Sequence, residues 1–367
     1  MGEVVGERDA ALSGFDEASC APTPVNISLG DVFKQIGRDL FDKEVQSAAT
    51  YSYLWMADQM GHIALGLFVI FALSWISYAF GFAVPPEGWW LALIGAAVVA
   101  VWEIKAYFAY AAMWTGLFPS NNPLLARNAL AATIYMAIGV VLGFTWQTST
   151  EVAAPASFAL MAVAVGLGLP WVRQKIIWQK AGLPFLFRLA NAYKTITKDD
   201  ALKLQALLDE HVRNPRCACG PIVVLTGQLG AGKTSLACGV GTEAAFRKLK
   251  VRYTTFDKLA QMAATKDDPG PDNISYWPWM ESELVIIDDI QSGSWIKPHR
   301  TLDRFTHIFE HDFGAKAKCL GKRMTVWVLG PMSADELHRW VKVIKRVCGA
   351  PEAHPQVLAI PFVSGSA

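Results

Sequence analysis

The sequence predicts a chain of two unlike parts: an α-helical membrane domain with four transmembrane helices, then an α/β domain built on a parallel sheet. Three observations predict it. Hydrophobic residues make up 53% of the 367 residues and charged residues only 18%, where a soluble domain carries about 25% charged. That apolar excess is gathered into four long runs between His62 and Val172. Beyond residue 213 the pattern changes to short apolar strands alternating with helix-like stretches, as in a parallel sheet with helices on both faces.

The first run, His62–Val84, holds no Asp, Glu, Lys or Arg and is long enough to cross about 30 Å of hydrocarbon. The second starts at Trp89, the third spans about Ala129–Trp146 and the fourth about Pro155–Val172. Buried helices of soluble proteins average about 11–12 residues, so a water-soluble helical core is disfavoured. No secretory signal precedes the first run.

Basic residues orient the spans. The loops Pro85–Gly88 and Gln147–Ala154 hold no Lys or Arg, whereas Lys34, Arg38, Lys43, Arg127, Arg173, Lys175, Lys180 and Arg188 flank the opposite ends. The positive-inside bias puts both termini in the cytoplasm. Glu103 and Lys105 lie in the second run. An intramembrane ion site is one reading; the favoured one has Lys105 snorkelling and Glu103 pairing nearby.

The remaining boundaries follow from composition. Residues 1–30 read as a flexible tail and 31–60 as an amphipathic helix, with Phe33, Ile36, Leu40, Phe41 and Val45 at helical spacing. The membrane domain covers 62–178, a helical linker with a break at Gly182–Pro184 covers 179–212, and the α/β domain 213–363. Net charge is +1, from 33 basic and 32 acidic residues, so nucleic acid is not implied by charge. Six scattered Cys give no disulfide framework and favour a reducing compartment.

The chemistry lies after residue 220. The strand-like Pro221–Thr226 runs directly into Gly227-Gln228-Leu229-Gly230-Ala231-Gly232-Lys233-Thr234-Ser235 and a helix-like stretch. This is the pattern G-x-x-x-x-G-K-T. Glycines let backbone N–H groups curl around phosphates, and the helix N-terminus adds a favourable dipole. Lys233 is expected to reach the β- and γ-phosphates of ATP, and Thr234 to ligate Mg2+. About 55 residues on, Glu283-Leu-Val-Ile-Ile-Asp288-Asp289 reads as a buried strand delivering two carboxylates at its C-terminal end. Asp288 is expected in the Mg2+ shell and Asp289 as the group that polarises the attacking water. Val251–Met262 reads as strand then helix, Arg300–Phe313 as a helix, and Met324–Gly330 and Gln356–Phe362 as further strands.

Gly227–Ser235, the segment TEAAFRKLKVRYTTFDKLAQM and IIDDIQ resemble the AAA+ ATPases of the bacterial replication-initiator, helicase-loader and transposition-helper clade. The resemblance covers about Cys219–Phe362 and none of the membrane half. It implies ATP bound at subunit interfaces, a homo-oligomer, and hydrolysis coupled to remodelling of a protein partner. With the spans, it implies residence in the bacterial inner membrane. The family's sensor strand ends in a polar residue, but Met324–Gly330 ends Leu-Gly-Pro, and the helical lid is missing or reduced to about Ser333–Val347. Arg323 stands where the family's arginine finger is expected, with Arg304 the second choice.

Weaker constellations complete the reading. Cys217-Ala-Cys219 lacks a second metal-binding pair. Tyr276, Trp277 and Trp279, beside Asp272, suit a hydrophobic cap on the sheet edge better than a base-stacking platform. Lys316, Lys318, Lys322 and Arg323 form a basic cluster able to meet phosphates or anionic headgroups. The leading expectation is a membrane-anchored ATPase acting on a partner, with DNA-transfer or secretion machinery as its candidate settings. The second is an ATP-gated scaffold or switch with little hydrolysis. A GTPase lacks support, because the TKDD stretches at Thr197 and Thr265 lie in the wrong places for reading guanine. A transporter is poorly supported by one ambiguous Glu.

Overall fold

The computed structural model describes residues 24–41, 51–82, 88–114, 122–148, 150–189, 196–215, 219–264, 276–290, 302–351 and 357–362. The chain divides into two compact units, one spanning Ser28–Lys175 and the other taking in Ile176 onward.

The first unit is helical. Helix α1 (Leu29–Phe41) starts at a reciprocal cap, in which the Ser28 hydroxyl accepts from the Asp31 N–H and the Asp31 carboxylate accepts from the Ser28 N–H. Helices α2 (Tyr51–Ala79), α3 (Trp90–Trp114), α4 (Asn122–Trp146) and α5 (Thr150–Lys180) follow. Four stretches within them, Asp58–Ala79, Trp90–Ala109, Ala126–Trp146 and Glu151–Lys180, are long and apolar enough to cross a membrane. Of the amphipathic helix expected over 31–60, the described residues show helix over Leu29–Phe41 and again in Tyr51–Met60, the opening turns of α2; residues 42–50 lie outside the described residues. No Gly or Pro interrupts Tyr51–Met60, so that segment continues into the apolar helix.

Helix α4 is the centre of this unit. Ile70, Leu91, Val99, Met136 and Val140 form one cluster across α2, α3 and α4. Ile63, Tyr135, Ile138, Leu142 and Ala164 form another across α2, α4 and α5. Gly66 and Gly139 let the α2 and α4 backbones touch: a Cβ on Gly66 would strike the Met136 carbonyl, and one on Gly139 the Ile63 carbonyl. Such small-residue crossings substitute van der Waals contact for the hydrophobic drive that lipid does not supply. Phe68, Trp75, Trp102 and Phe158 point outward, exposed. Glu103 is half-buried, and His62 and Asp58 of α2 are the charged groups acting on it.

The second unit is a five-stranded parallel sheet. Its strands are β1 (Ile222–Gly227), β2 (Val251–Thr255), β3 (Leu284–Asp288), β4 (Met324–Val328) and β5 (Val357–Phe362). They lie in the order β2-β3-β4-β1-β5. Apolar runs such as LVIID and MTVWV are buried on both faces, which is why they read as continuous rather than alternating. Helix α6 (Lys198–Arg213) precedes β1, α7 (Lys233–Phe246) joins β1 to β2, and α8 (Phe256–Ala264) follows β2. After β3 come α9 (Leu302–His307), a π-helical turn at Ile308–Phe313, the one-turn α10 (Lys318–Gly321) and α11 (Ala334–Val347). The larger core joins Val285, Ile287 and Trp327 of the sheet to Phe305, Phe309 and Phe313, and to Trp340 and Ile344 of α11.

One expectation is corrected here. Ser333–Val347 is not a reduced lid: α11 is capped by a Ser333–Glu336 box and packs Trp340, Ile344 and Val347 into the sheet core. Within residues 179–212 the helix breaks at Gly182–Pro184, where the sequence puts the break. Gly182, at φ 67, ends the helical path, and Pro184 follows it. Leu183–Arg188 then carries no helix, and Lys198–Arg213 resumes it. Cys319 is disulfide-bonded, which the cysteine spacing does not announce, while Cys238 and Cys348 are buried thiols.

Candidate functional site

Strand β1 delivers the phosphate-loop candidate to the C-terminal edge of the sheet. Gly227, Gly230 and Gly232 have φ of 147, 79 and 94, values an L side chain resists. The loop therefore needs glycine at these positions to turn its backbone inward. Gly232 is the N-cap of α7 and offers no capping side chain, so the orphan N–H groups of the first helical turn stay available to an anion.

The cavity beside this loop measures about 490 Å³, within the roughly 300–1,000 Å³ range of small-molecule sites. Gly227, Gln228, Leu229, Gly230, Gly232, Lys233, Thr234 and Ser235 line one side, with Asp288 and Asp289 opposite. Ala231 belongs to the loop without lining the cavity, and Leu229 stands exposed at its crest. The Lys233 ammonium donates to the carbonyls of Gly227 at 2.8 Å and Gln228 at 2.7 Å. Burial lowers its pKa below the ordinary lysine range, and the charges of Asp288 and Asp289 push it back up.

Asp288 ends β3, buried, with both carboxylate oxygens engaged. Its Oδ1 accepts from the Asp289 N–H at 2.7 Å, and its Oδ2 accepts from the Tyr253 hydroxyl at 2.8 Å. Asp289 sits at φ 57, an unusual value for a residue with a side chain, and that turn leaves it exposed at the cavity rim. Burial and then the Asp288 charge raise the pKa of Cys238, on the adjoining helix α7, to about 12, so its thiol is inert. The donor set of Thr234 hydroxyl and Asp288 carboxylate is all oxygen, which suits Mg2+. Each Asp288 oxygen accepts one hydrogen bond and retains a free lone pair for such a ligand.

The far wall is formed by Val328, Leu329, Gly330 and Pro331 after β4. The Thr226 hydroxyl donates to the Gly330 carbonyl at 2.7 Å, tying this wall to β1. No polar side chain comes from it, as the Leu-Gly-Pro ending predicts.

Arg323 departs from its expected role. It is fully buried, and its guanidinium donates to the main-chain carbonyls of Cys319 at 2.6 Å, Met280 at 2.9 Å and Trp279. Burial lowers its pKa to about 10. An arginine finger must reach a neighbouring subunit's phosphate, and this one is locked inside its own fold. The correction also removes Arg323 from the basic surface cluster. The Arg304 side chain, Cys217, Thr265 and Asp272 lie outside the described residues.

Tyr276, Trp277 and Trp279 form the hydrophobic cap. Trp277 is buried with the Lys180 and Lys250 ammonium groups 4.7 and 4.9 Å from its ring, and Tyr276 stacks on Arg252 at 4.5 Å. Sequence reasoning misses two residues. Phe185 brings an aromatic ring to the cavity wall from the segment after α5. Tyr253 reaches Asp288 only because β2 and β3 are neighbours, a fact the order of elements along the chain does not give.

Residues 219–313 match the family model described as IstB-like ATP binding protein. No curated protein matches the chain. Among solved structures, AMPPCP-bound DnaA from Aquifex aeolicus aligns at 23% identity over 48% of this chain, with a TM-score of 0.29. The chain spans about half, 51%, of that protein's length. By its phosphate loop, its paired carboxylates and the match over residues 219–313, the C-terminal domain is similar to the IstB-like ATP-binding proteins.

Proposed function

We propose that this chain is a membrane-anchored ATPase whose C-terminal domain couples ATP binding and hydrolysis to the assembly or remodelling of a partner protein. One observation carries the reading: Lys233 and the carboxylates Asp288 and Asp289 face one cavity that ends on the first turn of α7. In that arrangement the N–H groups of Gly227–Ser235 bind the phosphates and Lys233 turns from the loop carbonyls to the β- and γ-oxygens. Thr234 and Asp288 hold Mg2+, which supplies charge neutralisation at the phosphates when bound. Asp289 accepts a proton from the attacking water. Phe185 offers the base an apolar face.

The four apolar helices support anchoring in the bacterial inner membrane with both termini cytoplasmic. Confinement to two dimensions raises effective concentration and favours a homo-oligomer. The charge balance gives no support to nucleic acid as a further partner.

A second reading, an ATP-gated scaffold with little hydrolysis, is favoured by the apolar ending of β4 and by the burial of Arg323. The test is a detergent-purified full chain assayed for ATP binding, turnover and size, with and without nucleotide. Lys233→Ala should lower ATP affinity about ten- to hundredfold, the worth of charge-assisted hydrogen bonds. Unchanged affinity in that variant removes the phosphate-loop assignment. Tight binding without turnover moves the switch ahead of the motor.

A further inference from the structure

Strand β2 is at the edge of the sheet, and what covers its free side is the chain leaving α5. The Tyr253 N–H donates to the Ala181 carbonyl at 2.8 Å, and the Trp277 N–H to the Lys180 carbonyl at 2.9 Å. Gly182 makes this strap possible. Its φ is 67, and a Cβ there would lie 3.4 Å from the Tyr276 ring and 3.5 Å from the Tyr253 carbonyl.

The same tyrosine faces the candidate site. In the parallel register Tyr253 is opposite Ile286, so Asp288, two residues further along β3, shares its face. A diagonal of this kind spans about 7–8 Å, within reach of a long aromatic side chain. The phenol closes it with the 2.8 Å bond to Oδ2, while the Asp289 N–H holds Oδ1. Two donors on two oxygens fix the rotation of the carboxylate. The lone pairs left over then have one direction rather than several.

We infer that Tyr253 is a positioning residue for the Mg2+-side carboxylate, and that through its main chain it ties that carboxylate to the strap at the end of the fourth apolar helix. This rests on the proposed reading of Asp288 as the carboxylate that meets Mg2+. Tyr253 touches neither nucleotide nor metal and acts through Asp288. A shift of the strap moves β2, and with it the phenol that orients Oδ2.

The test is Mg2+ titration of fluorescent-ATP binding to the full chain in detergent. Tyr253→Phe removes only the hydroxyl. Nucleotide affinity without Mg2+ should stay within about twofold of wild type, while the Mg2+ midpoint rises about threefold to tenfold, the worth of one ordinary hydrogen bond, because the phenol acts only through Asp288. A merely structural role would weaken both together. Adding Tyr253→Phe to Asp288→Asn should change nothing further, since the group it orients is already altered. Gly182→Ala should raise the midpoint in the wild-type background and leave it unmoved in the Tyr253→Phe background. An unchanged midpoint in Tyr253→Phe overturns the positioning role, and an unchanged one in Gly182→Ala overturns the tie to the strap. If wild type binds no nucleotide at all, the ATP-site reading falls and this inference with it.

Discussion

The Arg188 Nε lies 2.7 Å from Glu243 Oε1, and the Glu243 side chain has no solvent exposure. Glu243 belongs to α7, the helix that begins at Lys233. Around the pair, Trp178 donates to the Thr242 hydroxyl at 3.3 Å, Leu189 packs on Gly239 and Leu183 on Gly241. A Cβ at Gly241 would come within 2.8 Å of both Leu183 and Ile286, so only glycine lets the segment lie this close. Residues 178–189 are therefore part of the ATP-binding domain's core.

Arg188→Ala leaves the Glu243 carboxylate buried without its partner. Breaking such a pair costs about 3–5 kcal/mol, and the partial exposure of Arg188 argues for the lower end. The melting temperature of the domain should fall by roughly 6–12 °C at about 3 kcal/mol. Arg188→Ala combined with Glu243→Gln should recover part of that loss, and thermal unfolding of the detergent-purified chain measures both.

Arg323→Ala is expected to act on folding. It strips a donor from three carbonyls; those of Cys319 and Trp279 keep a main-chain donor from Lys322 and Ser282, and a buried carbonyl left unpaired costs about 1–3 kcal/mol. Nucleotide binding and thermal stability should decline together. A stable variant that binds ATP normally but has lost turnover would restore the finger role that the burial argues against.

Asp289→Asn should keep nucleotide binding and lower turnover by about 10²–10⁴, the usual range for a lost proton acceptor. Asp288→Asn should weaken Mg2+-dependent binding as well, because its oxygens lie deeper and are already oriented. Paired binding and phosphate-release assays separate the two. Equal effects of both variants on binding would erase the division of labour.

His211 predicts a pH dependence. Its Nε2 lies 2.8 Å from the Glu283 carbonyl, so that nitrogen carries the proton, and Nδ1 has no hydrogen-bond partner among the described residues. Burial lowers its pKa below the ordinary value, against the raising effect of that backbone hydrogen bond. The unfolded chain then binds the proton more readily than the fold. Stability is complete above about pH 6.5 and is lost as pH falls through the folded value. His211→Gln keeps a donor for the Glu283 carbonyl and cannot titrate. It should flatten the fall in melting temperature between about pH 7 and pH 5, and an unaltered slope would assign the effect elsewhere.

Local chemistry was readable where it repeats or turns. The phosphate loop, the strand ending in Asp288 and Asp289, and the apolar helices each show as a pattern along a few consecutive residues. The bounds of β2, β3 and β4 come within two residues of expectation for that reason. What was hidden depends on neighbours distant in the chain. Arg323 reads as a surface cation until Trp279 and Met280, more than 40 residues earlier, supply the carbonyls that enclose it. Phe185 lines the cavity from the segment after α5, Tyr253 meets Asp288 through sheet order, and Ser333–Val347 reads as the remnant of a lid because an amphipathic helix has the same pattern whether it covers a cleft or a sheet.

The strap over β2 also bears on how the ATP-binding half can be handled alone. A fragment begun at Cys219, where the family match starts, would retain every strand and the whole phosphate loop. It would also leave the outward N–H groups of β2 unpaired and bare the glycine face of α7. An open edge of this kind is a template for another chain's strand, so such a fragment is expected to aggregate however intact its site. A fragment begun at Ile176 keeps its edge closed. The end of the last apolar helix is thus a self-chaperoning element for the soluble half, whatever else it transmits.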